Sequence, residues 1–332
     1  MKLPLGLHLG ERLTLAETFD VADFADESGF DSLWVAEGRL TRDAIVLMSL
    51  LASRTRSVRV ASGVVNNRSR NAALTAVTFK TLAEIAPSRI CLGLGAWWEP
   101  LASKVGLPLR KPLTAMREYV FAVRELFAGR TVDFQGEFVK MNGVRFDSMY
   151  RDNEAVDIPI YIGAVGPKML ELAGEIADGV YLDFLLPVSY LEKALPTIEL
   201  GRARSKTGRF EVVQIVSCSI DDQDPRAAID ECKAFLTMYV MQQPHIAEHC
   251  GLDPQIVERV RSVASWPATP ADVRRAMPLI PDKIVREVSA CGSSQQVFEM
   301  IERWHAAGVE VAVISPLGNK PDVVRRLAAI AR

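Results

Sequence analysis

The stretch LGLHLGERLTLAETFDVADFADESGFDSLWV, residues 5–35, carries the pattern on which the fold prediction rests. It begins with an apolar run at Leu5–Leu9, continues with apolar residues at three-to-four spacing over Leu15–Glu27, and ends with a second apolar run at Ser32–Val35. This spacing predicts an amphipathic helix between two strands. Consecutive apolar positions in the strands are typical of parallel strands covered on both faces.

The same strand-and-helix unit recurs along the chain, and we count eight such units. The candidate strands are Leu5–Leu9, Ser32–Val35, Val58–Gly63, Ile90–Leu94, Ile158–Ile162, Val180–Leu182, Val212–Ser217 and Val311–Ser315. Eight units in 332 residues predict an α/β fold, a (β/α)8 TIM barrel. Because no glycine fingerprint opens the chain, an open dinucleotide-binding sheet is the weaker prediction.

Two connections are longer than a barrel requires. Residues 129–147 alternate apolar and polar side chains around Gln135-Gly136, which predicts a hairpin inserted after the fourth strand. Residues 239–288 contain helical segments interrupted by prolines, which predicts a helical insertion after the seventh strand. No linker of low complexity separates these parts, so we expect one domain over residues 1–332.

The composition excludes several classes of protein. With 49% hydrophobic and 24% charged residues, the chain can bury a large core without a disulfide or a metal, and it is not disordered. The 39 Lys and Arg nearly balance the 41 Asp and Glu, which leaves a formal charge of −2 and no excess positive potential for nucleic acid. We therefore expect a small molecule rather than a nucleic acid as the partner.

The cysteines and the amino-terminal residues indicate where the protein works. Five scattered cysteines without a CxxC pair suit reduced thiols better than a disulfide framework. The apolar run near Met1 is too short and too interrupted by Gly and Pro for a signal peptide or a membrane span, and no later segment is long enough. These features predict a cytoplasmic protein without a membrane segment.

In a barrel of this kind the active site lies where the carboxyl ends of the strands meet the following loops. The fifth strand ends in Gly163 and Gly166, which bracket a tight turn before a helix that starts with Pro167. Free N–H groups at such a helix start, together with the helix dipole, suit a phosphate. The same residues also suit an ordinary strand-to-helix turn, so the pattern alone leaves both interpretations open.

At this point the sequence resembles a known family. The chain is similar to the luciferase-like superfamily and, within it, to the branch that uses the deazaflavin coenzyme F420, represented by methylenetetrahydromethanopterin reductase. The segments that carry the resemblance are Gly29–Glu37, Arg89–Ala96, Lys111–Glu118, Ile160–Leu170, Glu171–Gly179, His249–Leu252 and Ala306–Pro316. They follow one another in order over nearly the whole chain. The resemblance implies a TIM barrel and an oxidoreductase that transfers a hydride between coenzyme F420 and a small organic or heterocyclic substrate.

The resemblance also implies roles for individual residues. The third strand is expected to end in a bulge with a non-proline cis peptide at Gly63-Val64, which supports the cofactor ring, and Glu37 is expected near that ring. His8 and Glu37 are the candidate catalytic residues, because both stand at neighbouring strand ends and can exchange protons. The expected cofactor-binding residues are Gly63, Val64, Asn66, Gly95, Ala96, Gly163, Ala164, Val165, Gly166, Pro167 and Lys168.

The sequence departs from the family pattern at several positions. Trp97 and Trp98 stand where the reductases have a small residue and an acid, so the indoles narrow the pocket, stack on a flat substrate, or cover apolar surface. His8 stands where the reductases have a glutamate, which puts the pterin substrate in doubt. Gly38 stands where the sugar-phosphate dehydrogenases of the superfamily have a catalytic histidine, which argues against that activity. Arg39 is a candidate pocket residue.

Alternatives remain at this stage. The same contacts suit FMN, as in a luciferase-like monooxygenase, and a barrel with Trp97 filling the cofactor space would be a binding subunit without a cofactor. His245, His249 and Cys250 lie close together in sequence, but no third metal ligand of fixed spacing accompanies them, so we expect no metal site. Members of the family are commonly dimers or tetramers, and we expect a homodimer or a homotetramer.

Overall fold

The computed structural model describes residues 3–99, 101–147, 154–243, 248–265 and 267–331. The strands, in chain order, are β1 (Leu5–Leu9), β2 (Ser32–Val35), β3 (Arg59–Ser62), β4 (Val65–Asn66), β5 (Ile90–Gly95), β6 (Val132–Gln135), β7 (Lys140–Val144), β8 (Ile160–Gly163), β9 (Gly179–Leu182), β10 (Glu211–Ile220), β11 (Ser289–Gly292) and β12 (Val311–Pro316).

Eight of these strands form a closed parallel barrel. Its members β1, β2, β3, β5, β8, β9, β10 and β12 pair with one another in that order, and β12 pairs with β1. Strands such as Ser32–Val35 and Ile90–Gly95 are buried at every position, as parallel strands between a barrel interior and a helical ring must be. The predicted (β/α)8 barrel and all eight of its strands are confirmed. The largest difference in bounds is at β10, which ends at Ile220 rather than at Ser217.

Two short parallel strands were not predicted. The dipeptide Val65–Asn66 pairs with β5 just after β3, and Ser289–Gly292 pairs with the end of β10. The sequence SACG of the latter contains no β-branched residue, so propensity gives no signal there. Both strands extend the barrel wall at the carboxyl end of the sheet, where the site lies.

The helices surround the barrel. They are α1 (Leu15–Ser28), α2 (Ala44–Arg54), α3 (Ala72–Ile85), α4 (Leu101–Lys104), α5 (Pro112–Phe127), α6 (Pro167–Ile176), α7 (Val188–Arg202), α8 (Pro225–Gln242), α9 (Pro254–Val263), α10 (Pro270–Ala276), α11 (Asp282–Val288), α12 (Ser294–Ala306) and α13 (Lys320–Ala331), with a 3-10 turn at Met277–Leu279. Side-chain caps fix several helix starts, for example Thr14 with Glu17 at α1. No helix among the described residues is long and apolar enough to cross a membrane.

Both insertions have the predicted type of structure. Strands β6 and β7 form an antiparallel hairpin between α5 and β8, which follows the fourth barrel strand. After the seventh barrel strand come α8 to α11, but the predicted start of this insertion at Tyr239 falls inside α8. The amphipathic pattern of α8 continues through Gln242, so no break exists at Tyr239.

The barrel interior below the carboxyl end is filled by layers of side chains. At the amino end, Arg59 forms ion pairs with Asp31 at 2.5 Å and Glu211 at 3.2 Å. Above them Trp34 stacks on Tyr181 with ring centroids 4.4 Å apart, and its indole N–H donates to Ser32 at 2.8 Å. Of these two buried rings, Tyr181 lines the site directly and Trp34 supports it from below.

Candidate active site at the barrel mouth

A cavity of about 280 Å³ lies at the carboxyl ends of the strands and opens to solvent. Thirteen of the sixteen residues predicted for the site line it. They are His8, Glu37, Arg39, Gly63, Val64, Asn66, Gly95, Ala96, Trp97, Trp98, Gly163, Ala164 and Val165. The other three, Gly166, Pro167 and Lys168, do not line this cavity.

Val64 forms one wall of the cavity, and glycines make room for it. The Gly63-Val64 peptide bond is cis, the geometry implied by the resemblance. A Cβ at Gly95 would lie 2.6 Å from Val64 Cγ2, and one at Gly93 would lie 3.2 Å from Val64 Cγ1. A Cβ at Gly163 would lie 3.5 Å from Val64 Cγ1 and Cγ2. Three glycines from neighbouring strands therefore hold Val64 closely against the sheet.

His8 lies on the floor of the cavity, at the end of β1. Its Nδ1 and the Tyr181 hydroxyl are hydrogen-bonded at 3.2 Å, and the Phe184 ring packs edge-on at 5.2 Å. Burial lowers the pKa of His8 to about 4, with Glu11 and Arg12 acting in opposite directions. Burial also raises the pKa of Tyr181 well above its usual value. At neutral pH the pair therefore consists of a neutral imidazole and a neutral phenol.

Glu37 is held by an arginine that the sequence analysis did not single out. Arg70 donates to Glu37 Oε2 at 2.6 Å and to Asp43 at 2.6 Å. The Asn66 amide donates to the same Glu37 oxygen at 3.5 Å, while Asn66 Oδ1 accepts from the backbone N–H groups of Arg68 and Ser69. The Glu37 carboxylate thus ties the end of β2 to the loop after β4.

The loop after β8 differs in detail from the prediction. Gly166 has φ −77 and ψ 145, and neither it nor Gly163 has left-handed backbone, so the turn does not need glycine for its conformation. Among the described residues no side chain caps the start of α6, and the N–H groups of Val165 and Gly166 bond to no described residue. The Lys168 side chain lies in a separate depression beside Arg117, Glu171 and Arg204. The loop therefore brings backbone groups, not this lysine, toward the cavity.

The two indoles line the cavity and do not fill it. Trp97 has left-handed backbone at φ 71, and both Trp97 and Trp98 are half-exposed. The open volume beside them removes the physical basis for a barrel whose cofactor space is filled by Trp97. Arg39 also lines the cavity, and its guanidinium donates to Gln242 at 2.5 Å.

Comparison with known proteins identifies the family. The family model described as luciferase-like monooxygenase matches residues 3–310. The chain belongs to the luciferase-like family. The recognition made from the sequence is therefore confirmed.

Within the luciferase-like family, similar relatives are F420-dependent enzymes. This chain is 32% identical to 5,10-methylenetetrahydromethanopterin reductase of Archaeoglobus fulgidus, over 93% of this chain and 91% of the relative. It is 27% identical to F420-dependent glucose-6-phosphate dehydrogenase of Microbacterium testaceum, over 82% of this chain and 83% of the relative. The solved structure of the coenzyme F420-dependent tetrahydromethanopterin reductase of Methanopyrus kandleri superposes with a TM-score of 0.86 at 26% identity, covering 99% of this chain and 98% of that chain.

Several residues of this luciferase-like site were missed from the sequence. Tyr181, Asp183 and Phe184 line the cavity from the end of the sixth barrel strand, and Tyr239 lines it from α8. The rule that the site lies at the strand ends would have predicted Tyr181, Asp183 and Phe184 if it had been applied to the sixth strand. Tyr239 lies late in a long helix, where the sequence gives no comparable signal.

The His-and-Cys segment gives no support for a metal centre. Of its members, His245 lies outside the described residues, while His249 packs against Tyr190 with ring centroids 5.4 Å apart. No group of three or more metal-ligating side chains occurs in the part of the chain that the structure describes.

Proposed function

We propose that this protein is an oxidoreductase that transfers a hydride between coenzyme F420 and a small organic substrate. The observation that carries the proposal is the cavity at the barrel mouth, with Val64 on one wall and His8 on the floor, in a chain whose relatives are F420-dependent oxidoreductases. When bound, coenzyme F420 supplies the hydride-carrying carbon of its deazaflavin ring. The protein supplies position and electrostatics.

The residues around Val64 fit a flat ring. Val64 presents an apolar wall, and close packing on Gly93, Gly95 and Gly163 keeps that wall at a fixed height above the sheet. A flat apolar wall excludes water from one ring face and leaves the other face for substrate. Since the Asn66 side chain is occupied by its own loop and by Glu37, we assign its contact with the cofactor to the backbone.

The start of α6 suits the phosphate of the cofactor. The helix has ten residues, its first N–H groups have no side-chain cap among the described residues, and a Cβ at Gly166 would meet no atom within 4 Å. This open space at the positive end of a helix dipole accommodates an anion. Ala164, Val165 and Pro167 shape the approach to it.

His8 and Tyr181 form the proton-handling pair of the proposed reaction. A neutral imidazole stabilises developing negative charge on the substrate by hydrogen bonding, and the hydrogen bond with the Tyr181 hydroxyl orients this imidazole. Glu37 is bound by Arg70, and we assign it to positioning the ends of β2 and β4 near the ring. His8 therefore takes the role in proton transfer that the sequence analysis divided between His8 and Glu37.

A fluorescence titration tests the cofactor. We expect F420 to bind the purified protein and FMN to bind at least about tenfold more weakly, a difference of about 1.4 kcal/mol. The variant Gly95→Ala places a methyl group against Val64 and should weaken F420 binding by a similar factor. Gly208→Ala is the control, because a Cβ there meets no atom within 4 Å.

Tighter binding of FMN than of F420 would favour the FMN-dependent alternative. Binding of neither cofactor would favour the cofactor-free alternative. Either result overturns the proposal.

We also propose that two or more copies of the chain associate through the outer face of α2 and α3. Val46 and Leu50 of α2 are 64% and 48% exposed, and Leu74 and Val77 of the neighbouring α3 are 64% and 44% exposed. A patch of large apolar side chains on adjacent helices marks an interaction surface.

A further inference from the structure

A second cavity adjoins the site at His8. It has a volume of about 210 Å³, and five residues line both cavities: His8, Glu11, Arg39, Phe184 and Tyr239. Two guanidinium groups and two further rings face it, from Arg12, Arg39, Phe235 and Tyr239. We call this space the arginine chamber.

Arg12 makes few polar contacts for a largely buried cation. A guanidinium carries five N–H donors. Within the described residues, its polar contact is one long hydrogen bond to Met238 Sδ at 3.9 Å, and its charge lies over the Phe235 ring at 4.1 Å. Burial lowers the pKa of Arg12, which means that the surroundings stabilise its charge poorly.

Arg39 adds a second positive charge to the arginine chamber. It donates to the neutral amide of Gln242 and lies 5.9 Å from the Tyr239 ring centroid. No carboxylate of a described residue is within ion-pair distance of Arg12 or of Arg39. Glu11 is the acidic residue that lines the chamber, and its side chain is exposed. Within the described residues, the two guanidinium groups of the chamber therefore have no ion-pair partner.

A largely buried arginine such as Arg12 is costly without a carboxylate partner unless a ligand supplies the anion. Guanidinium groups bind carboxylates through paired hydrogen bonds, and flanking aromatic rings favour a flat molecule.

We infer that the arginine chamber binds the carboxylate of a small, flat organic acid, and that such acids are the substrate class of this oxidoreductase. The inference rests on the proposed function and deepens it. The carboxylate pairs with Arg12 and Arg39, and the remainder of the molecule extends past His8 toward the wall formed by Val64. His8 thus lies between the anchor of the substrate and the place proposed for the cofactor ring.

Calorimetric titration of the F420-loaded protein with benzoate and its neutral isostere benzamide tests the inference. We expect benzoate to bind at least about tenfold more tightly than benzamide and more tightly than phenyl phosphate. Arg12→Gln should remove most of the preference for benzoate and leave benzamide unchanged, whereas Arg12→Lys should retain part of it. Arg56→Gln is the matched control, because Arg56 is exposed and its loss changes the net charge equally.

The outcomes separate the two proposals. Equal affinity for benzoate and benzamide, or an unchanged preference in Arg12→Gln, overturns the carboxylate assignment. Tighter binding of phenyl phosphate overturns it in favour of a phosphate. F420 affinity, measured in the same variants, should stay unchanged, and failure of the unmodified protein to bind F420 would count against the proposed function instead.

Discussion

At the scale of single residues, the low pKa of His8 makes the stability of the protein depend on pH. The unfolded chain takes up a proton on this histidine below about pH 6.5, whereas the folded protein takes up this proton only near pH 4. Acidification through this window therefore favours the unfolded state. Among the described residues, Glu11 and Arg12 act on His8 through their charges and Tyr181 is hydrogen-bonded to it, and the pKa of about 4 includes the charges of the first two.

The variant His8→Asn should remove this pH dependence. Between pH 7.5 and pH 5, the linkage relation gives a contribution of about 2 kcal/mol to the loss of unfolding free energy in the unmodified protein. Urea unfolding of both proteins at both pH values measures the difference. His305, whose pKa is also lowered, is present in both proteins, so its contribution to the pH dependence cancels in the comparison. Equal losses of unfolding free energy in the two proteins would show that the folded state does not shield His8 from protonation.

At the scale of elements, α6 offers a test of the phosphate site that does not disturb the fold. Gly166 has extended backbone and open space around it, so Gly166→Val should leave the melting temperature unchanged. The added side chain stands where the anion is proposed to bind, and we expect F420 affinity to fall by about tenfold or more. Gly208→Val should leave the affinity as it is. An unaltered affinity in Gly166→Val would remove the α6 start from the cofactor site.

Elements with a strong apolar pattern were predictable, and elements fixed by tertiary contact were not. The run Ile90–Leu94 gives a buried strand within one residue, because its side chains need cover on both faces. The strand Ser289–Gly292 consists of small residues and exists because β10 extends far enough to pair with it. Local sequence carries no record of such a partner.

In the functional site, too, features that follow from local sequence were predictable and features that depend on tertiary contacts were not. Family motifs and strand ends predict the Val64 wall and the loop after β8, since both follow directly from barrel strands. The pairing of Glu37 with Arg70, and the approach of Arg12 to Arg39, join residues from different loops. Only the closed barrel brings those residues together, so charge balance within the site could be judged only from the structure.

At the scale of the whole molecule, we expect the exposed face of α2 and α3 to determine the state of association. We expect the unmodified protein to have at least twice the mass of one chain in solution, because Val46, Leu50, Leu74 and Val77 would otherwise remain in water. The double variant Val46→Glu with Leu74→Glu places two carboxylates on this face, where both side chains are exposed, so each chain should fold normally. Light scattering coupled to size exclusion should then report the mass of a single chain. Leu200→Glu, at a 61% exposed position on α7, is the control and should keep the larger mass. A larger mass that persists in the double variant would place the interface elsewhere on the helical ring.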